Sequence, residues 1–225
     1  YCLIKETAVA ERGTVHLNMI VTKTGDQGQT CLNDGSRISK ASPRIKALAS
    51  IEQVAVKLGY FIHVCEDQIL QVKLPENRSC EIKLTQLATS FQQEMYDIGS
   101  DISTPFVDGE DRIRFPQESV EELTELIGRL TLALEPLDSF ILPQGSLRVL
   151  IAHDIRTLVR QAEIHVWDIE EAVNPAVPQF LNRLSDFWFV LGRLLFAEET
   201  QTGGTENQKW EPRQKQDRGC RFTQT

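Results

Sequence analysis

The sequence predicts an all-α fold, an up-and-down bundle of five helices preceded by a glycine-containing loop. Five segments carry apolar residues every three or four positions, the period of one buried helix face. Proline and glycine turns separate those segments. The stretch 22–42 is different in kind: poor in apolar residues, rich in glycine and Asp-Gly turn signals, and long for a loop inside a folded domain.

Residues 1–19 read as an N-terminal extension, with a short strand over 15–21 at its end. After the loop, Ser42 and Pro43 form an N-cap and first helical residue. Ile45, Leu48, Ile51, Ala55, Leu58 and Ile62 then line one face of the first helix. Residues 63–83 contain the strand-like run Ile69-Leu70-Gln71-Val72-Lys73-Leu74 before Pro75, which suits an inserted hairpin. Leu84, Leu87, Phe91, Met95, Ile98 and Ile102 mark the second helix, and Val120, Leu123, Ile127, Leu130 and Leu134 the third, ended by Pro136. Ser146 is a candidate cap for the fourth, whose stripe is Ile151, Ile155, Leu158, Ala162, Val166 and Ile169. The fifth, roughly 177–198, is apolar on nearly all sides, as a central or interface helix would be. The bundle thus occupies 20–198, and the polar stretch 199–225 reads as a disordered tail.

Composition narrows the function. The 225 residues are 41% hydrophobic and 25% charged, an ordinary globular balance, and the net charge of −8 argues against a general nucleic-acid binder. Cys2, Cys31, Cys65, Cys80 and Cys220 show neither disulfide nor metal spacing, which suits a reducing compartment: the cytoplasm or, in a eukaryote, the mitochondrial matrix. The longest apolar runs, such as 187–191, fall far short of the ~20 residues a membrane helix needs, so no membrane partner is expected. His16, His63, His153 and His165 have no ligand spacing, and no nucleophilic triad is present.

Four places carry chemistry. Thr22-Lys23-Thr24-Gly25-Asp26-Gln27-Gly28-Gln29-Thr30 combines glycines that expose backbone N–H groups with hydroxyl and ammonium donors, a set suited to phosphate, and Asp26 suits Mg²⁺ or the loop itself. A plain polar turn has the same composition, and the spacing is not that of a P-loop. His153, Arg156, Arg160 and Glu163 form one ridge of the fourth helix, able to grip polyphosphate or to be an ordinary solvated face. Asn182, Arg183, Asp186 and Arg193 interrupt the fifth helix and need either helix partners or a ligand. Phe140, beside Leu142-Pro143, is an aromatic on a rigid turn, a position usual for a core residue.

Taken in order, these segments resemble the ATP:cob(I)alamin adenosyltransferase family of the trimeric helical-bundle type. The matching pieces are the 22–30 loop, Ser39-Lys40-Ala41-Ser42-Pro43-Arg44-Ile45, Met95-Tyr96-Asp97-Ile98-Gly99 through Thr104-Pro105, and Phe140-Ile141-Leu142-Pro143-Gln144-Gly145-Ser146. Arg156-Thr157-Leu158-Val159-Arg160-Gln161-Ala162-Glu163, Val173-Asn174-Pro175 and Phe180-Leu181-Asn182-Arg183-Leu184-Ser185-Asp186 complete the pattern. Departures from it include Glu52-Gln53 in place of Asp-Glu and Arg160-Gln161 in place of paired arginines.

The resemblance implies a homotrimer with active sites between subunits. It also implies transfer of the 5′-deoxyadenosyl group of ATP to cob(I)alamin, with triphosphate released and Mg²⁺ present. By the same resemblance Thr22, Lys23, Thr24, Gly25, Asp26, Gly28, Thr30, Lys40 and Arg160 would hold the ATP phosphates, with Glu163 and Asn182 at the nucleotide site. Arg156 would pair across the interface with Glu52, and Phe140 would sit near the corrin's lower face. A cobalamin reductase or a B12-dependent mutase would be the natural partners. The alternative reading is a non-catalytic ATP- or cobalamin-binding relative acting as a sensor or scaffold.

Overall fold

The computed structural model describes residues 21, 23–106, 114–201 and 208–210. The proposed extension over 1–19, its strand, Thr22 and most of the tail lie outside the described residues. A small hairpin, β1 (Gln29–Cys31) with β2 (Arg37–Ser39), stands inside the long loop. Helix α1 (Pro43–Val64) follows, then the inserted hairpin β3 (Ile69–Leu74) with β4 (Arg78–Lys83). Helices α2 (Leu84–Ile102), α3 (Gln117–Thr131), α4 (Leu147–Trp167) and α5 (Ala176–Gln201) complete the bundle.

The helices alternate in direction. Ser50 meets His165 and Lys57 meets Asp154, so α1 and α4 run opposite ways. Arg148 of α4 bonds Glu198 and Glu199 of α5, while Glu163 faces Asn182, so that pair is antiparallel too. Gln117 contacts Gln179 at one end of α3, and Arg193 reaches the Glu135 carbonyl at the other, so α3 runs along α5.

The core forms where the apolar stripes meet. On α1 the most buried positions are Ala47, Ile51, Val54, Leu58 and Phe61, so the buried stripe is turned from the expected one, and Ile62 and Leu48 sit at its margin. Trp188 is sealed at the centre, its ring edge-on to Phe61 at 4.9 Å and near Phe91 and Phe187. Each such ring contributes about 1.5–3 kcal/mol by leaving water, and edge-to-face pairing adds roughly 0.5–1.5 kcal/mol.

One end of the bundle is tied by buried polar groups. Asp101, 7% exposed at the end of α2, accepts from the Phe115 N–H at 2.7 Å, from Asn174 Nδ2 at 2.8 Å and from Arg114 at 3.3 Å. Asn174 in turn accepts from the Ala176 N–H and so caps α5. Arg44, 3% exposed, donates to the Ile102 carbonyl at 2.8 Å, closing an orphan acceptor at the end of α2, and pairs with Glu171.

At the opposite end the expected cap of α4 works differently. Ser146 occupies the cap position, yet its hydroxyl bonds the Glu199 carboxylate of α5 instead of its own helix. Glu199 also accepts from the Ser146 N–H and from Arg148. Those bonds hold the Glu199 carboxyl below its ordinary range, although burial alone would raise it.

The tail departs from expectation at both ends of its described part. Helix α5 continues to Gln201, and Gln208–Trp210 lies against residues 140–142 through an antiparallel bridge between Ile141 and Lys209. Three residues bound to an existing loop edge need no core of their own, which is why a polar composition did not prevent their ordering here.

Glu94 of α2 is a strained charge position. Its Oε2 is sealed from solvent without a hydrogen-bond partner among the described residues. Burial first, then Asp97 and Glu122, push its pKa from 4.5 up to about 8. The folded state therefore takes up a proton, and stability falls as pH rises through that window. Glu94→Gln is expected to stabilise the fold by about 1–3 kcal/mol above pH 8, the cost of a buried unsatisfied group. The gain should vanish below pH 4.5, where the carboxyl is protonated folded or unfolded. Denaturant melts at the two pH values check this.

Candidate functional site

The loop before α1 folds around its glycines. Lys23 and Gly28 adopt left-handed backbone, φ 57° and 78°, and Gly28 takes it without a Cβ to strain it. The Gly28 N–H donates to the Gly25 carbonyl at 3.2 Å, and the Lys40 N–H donates to the Gly28 carbonyl at 2.8 Å. Lys40 is folded so closely over the turn that a Cβ at Gly25 would lie 2.7 Å from its Nζ. Arg37 spans the hairpin and donates to the Thr24 carbonyl at 2.9 Å. The result is an exposed turn with Thr24, Asp26 and half-buried Thr30 beside three cations, Lys23, Arg37 and Lys40. It is fixed to the bundle through Asn33, whose N–H donates to the Ser103 carbonyl at 3.0 Å and whose amide bonds Ser100 and Ser103 at the end of α2.

A second group lies along α4 and α5. Asn182 donates to Glu163 at 3.2 Å, and Arg183 pairs with Asp186 at 3.0 Å. Asn182 and Asp186 are exposed, so the polar breaks in α5 mark its outer face and are not buried inside the bundle. Arg160 is exposed, and Arg156 is half-buried with its guanidinium 5.4 Å from the Phe189 ring centre. Burial and then the Arg160 cation lower the Arg156 pKa, with Asp186 opposing them. Neither arginine has an ion-pair partner among the described residues, so both are available to an anion.

Beside Arg156 opens a cleft of about 440 Å³, walled by Leu137, Phe140, Ile141, Pro143, His153 and Phe189. It is mostly apolar, with Arg156 and His153 as its charged or titratable members. Phe140 is 78% exposed at the rim, so it is not the core residue its type would suggest. His153 is only 7% exposed, although its ridge reads as polar in sequence. The ring packs against α5 at Gly192, where a Cβ would lie 3.4 Å from the imidazole.

The chain therefore brings the predicted residues together in groups. Lys23, Thr24, Gly25, Asp26, Gly28, Thr30 and Lys40 share the turn; Arg160, Glu163 and Asn182 share the outer α4–α5 face; Arg156 and Phe140 share the cleft. Glu52 is exposed on α1 and makes no ion pair with Arg156 within the described chain. Arg37, Phe189 and Trp210 were not singled out by sequence reasoning. A lone tryptophan in a polar tail was the available signal for Trp210, and an arginine closing a turn was the signal for Arg37. Nothing local marked Phe189 among its apolar neighbours.

Comparison with known proteins concerns the chain as a whole. The family model described as cobalamin adenosyltransferase matches residues 20–195. A cobalamin adenosyltransferase of Cupriavidus metallidurans is 34% identical over 87% of this chain and 95% of its own length. A corrinoid adenosyltransferase of Mycobacterium leprae is 32% identical over 80% of this chain and 92% of its own. Among solved structures, a variant PduO-type ATP:corrinoid adenosyltransferase from Lactobacillus reuteri, complexed with cobalamin and ATP, is similar with a TM-score of 0.72. It is 26% identical and covers 86% of this chain and 100% of its own.

The cleft makes one titration specific. Burial first and the Arg156 cation second lower the His153 pKa from 6.5. The His153 ring resonances are expected to titrate below that value by NMR, and Arg156→Gln should move the midpoint part of the way back up. An unchanged midpoint in the variant would mean that the two side chains do not share the cleft.

Proposed function

The chain belongs to the cobalamin adenosyltransferase family and is an ATP:corrinoid adenosyltransferase; we propose how its residues divide that reaction between them. It binds ATP and cobalamin and moves the 5′-deoxyadenosyl group to cobalt. The cob(I)alamin cobalt supplies the electron pair of the new cobalt–carbon bond. The bond from C5′ to the phosphate oxygen breaks, and triphosphate leaves with the electron pair of that broken bond. No proton moves, which agrees with a site that needs alignment and cations more than an acid–base pair.

The observation that carries this reading is the turn itself, where the Lys40 ammonium packs over Gly25 beside the exposed Thr24 and Asp26. Cations preorganised around the leaving group stabilise the charge that develops there. Lys23, Thr24, Gly25, Asp26, Gly28, Thr30 and Lys40 would hold the phosphates, with Thr22 beside them in sequence, and Arg160 would close over them from α4. Glu163 and Asn182, already bonded to each other, would position the nucleoside. Mg²⁺ fits as a companion of the phosphates. Such an ion takes one or two carboxylates and fills its remaining positions with phosphate and water, and Asp26 is the turn's carboxylate. When bound it would screen the triphosphate charge.

Phe140, exposed at the rim of an apolar cleft, suits the lower face of the corrin. An aromatic there would exclude water and a lower axial ligand and so favour the four-coordinate cobalt that accepts an electron. The electron that makes cob(I)alamin would come from a reductase, in a reducing compartment such as the cytoplasm.

The assembly is proposed as a homotrimer with sites between subunits. Two features support it. Glu52 and Arg156 are unpaired within their own described chain, and the apolar side chains of Val56, Tyr60, Ile164 and Trp167 stand exposed on α1 and α4.

Purified chain with ATP, Mg²⁺ and chemically reduced cobalamin should form adenosylcobalamin, followed by absorbance. Arg160→Ala and Lys40→Ala should each lower kcat/KM for ATP by about 10–100-fold, the value of a hydrogen bond to a charged group. Wild-type rates in both variants would remove the phosphate assignment. Glu52→Arg is expected to reduce the sedimenting mass, and Glu52→Arg combined with Arg156→Glu to restore it; a mass unchanged in the single variant would sink the inter-subunit pair.

A further inference from the structure

The loop that carries Phe140 is held by a segment beyond the stretch 20–195 that the family model matches. Gln208–Trp210 pairs with it residue by residue. The Leu142 N–H donates to the Gln208 carbonyl at 2.9 Å, and the Trp210 N–H donates to the Phe140 carbonyl at 2.7 Å. Ser139 Oγ donates to the Trp210 carbonyl at 2.9 Å, and Gln144 bonds the Gln208 side chain at 3.1 Å. Lys209 pairs with Asp138 at 2.6 Å. The Trp210 indole then presents itself to the Phe140 ring, centroids 6.3 Å apart and planes 75° to each other.

These contacts converge on one residue. Phe140 sits on an irregular segment between α3 and α4, with 78% of its surface exposed. An exposed aromatic on such a segment samples several rotamers on a fast timescale. An edge-on neighbour and a backbone bond to its own carbonyl restrict both ring and main chain. The other end of the segment is fixed from α5, where Arg193 Nη2 donates to the Glu135 carbonyl at 2.6 Å. The segment is therefore clamped on both sides of the cleft, by α5 and by the tail.

We propose that Trp210 is a positioning residue that acts through Phe140, holding its ring in the orientation that meets the corrin. The proposal rests on the reading that Phe140 faces the corrin. Trp210 touches no substrate; its effect is on the corrin side of the reaction and not on the nucleotide turn at the far end of the bundle.

The test measures adenosylcobalamin formation by the full chain, with cobalamin and ATP varied separately. Trp210→Ala should raise KM for cobalamin, or lower kcat at saturating cobalamin, by about 3–10-fold, the worth of an aromatic pair. KM for ATP should stay within about twofold, because Trp210 contacts none of the residues assigned to the phosphates. Trp210→Phe, which keeps a ring edge, should recover most of the loss. Phe140→Ala with Trp210→Ala should be no worse than Phe140→Ala alone, because Trp210 has nothing left to position. Should Trp210→Ala lose its folded circular dichroism, Trp210→Leu supplies bulk without the ring edge and is expected to show the same cobalamin-specific defect. An unimpaired Trp210→Ala beside an impaired Phe140→Ala would overturn the proposal. Full additivity of the two losses would overturn it as well. An unimpaired Phe140→Ala would instead overturn the corrin assignment beneath it.

Discussion

The architecture depends on a buried carboxylate. Asp101 gathers the end of α2, the segment entering α3 and the turn entering α5 by accepting from Phe115, Asn174 and Arg114. Removing one partner from such a group leaves a charge stranded in low dielectric, so the arrangement is held as a set. Its neighbours Arg44 and Asn33 connect the same end of the bundle to α1 and to the nucleotide turn. The turn is thus a loop by conformation but rigid by attachment, which is what preorganised anion binding needs. A glycine turn hung on a flexible linker would lose most of that advantage to ordering entropy.

Charge is placed locally. The chain carries a net −8, yet its candidate phosphate groups are cationic: Lys23, Arg37 and Lys40 on the turn, Arg156 and Arg160 on α4. The apolar cleft stands apart from these, with Arg156 as the link between them. A reaction joining a polyanionic nucleotide to a large, flat apolar ring calls for that division.

What could be read from the chain followed the range of the interactions. Helix existence depends on local period, so the five helices and the β3–β4 hairpin were legible. The Ser42 cap, accepting from the Ile45 N–H, was legible for the same reason. The groups of the candidate site were legible as motifs, because glycine and charged side chains must be contiguous to build a turn or a ridge. Effects that depend on a distant residue were not. His153 is buried against Gly192 of α5, and Phe140 stands exposed on the segment between α3 and α4. The ordering of 208–210 depends on a loop edge encoded far upstream. Ser146 looked like a self-sufficient cap, and its real partner is on another helix.

That partner has a dynamic consequence. The start of α4 is closed by Glu199, two residues before the end of α5. Unwinding the final turn of α5 would release the Ser146 N–H and hydroxyl at the start of the helix that bears Arg156. The two termini therefore open as one cooperative unit, and the backbone around Ser146 should exchange its hydrogens at the pace of chain-end fraying and not of global unfolding.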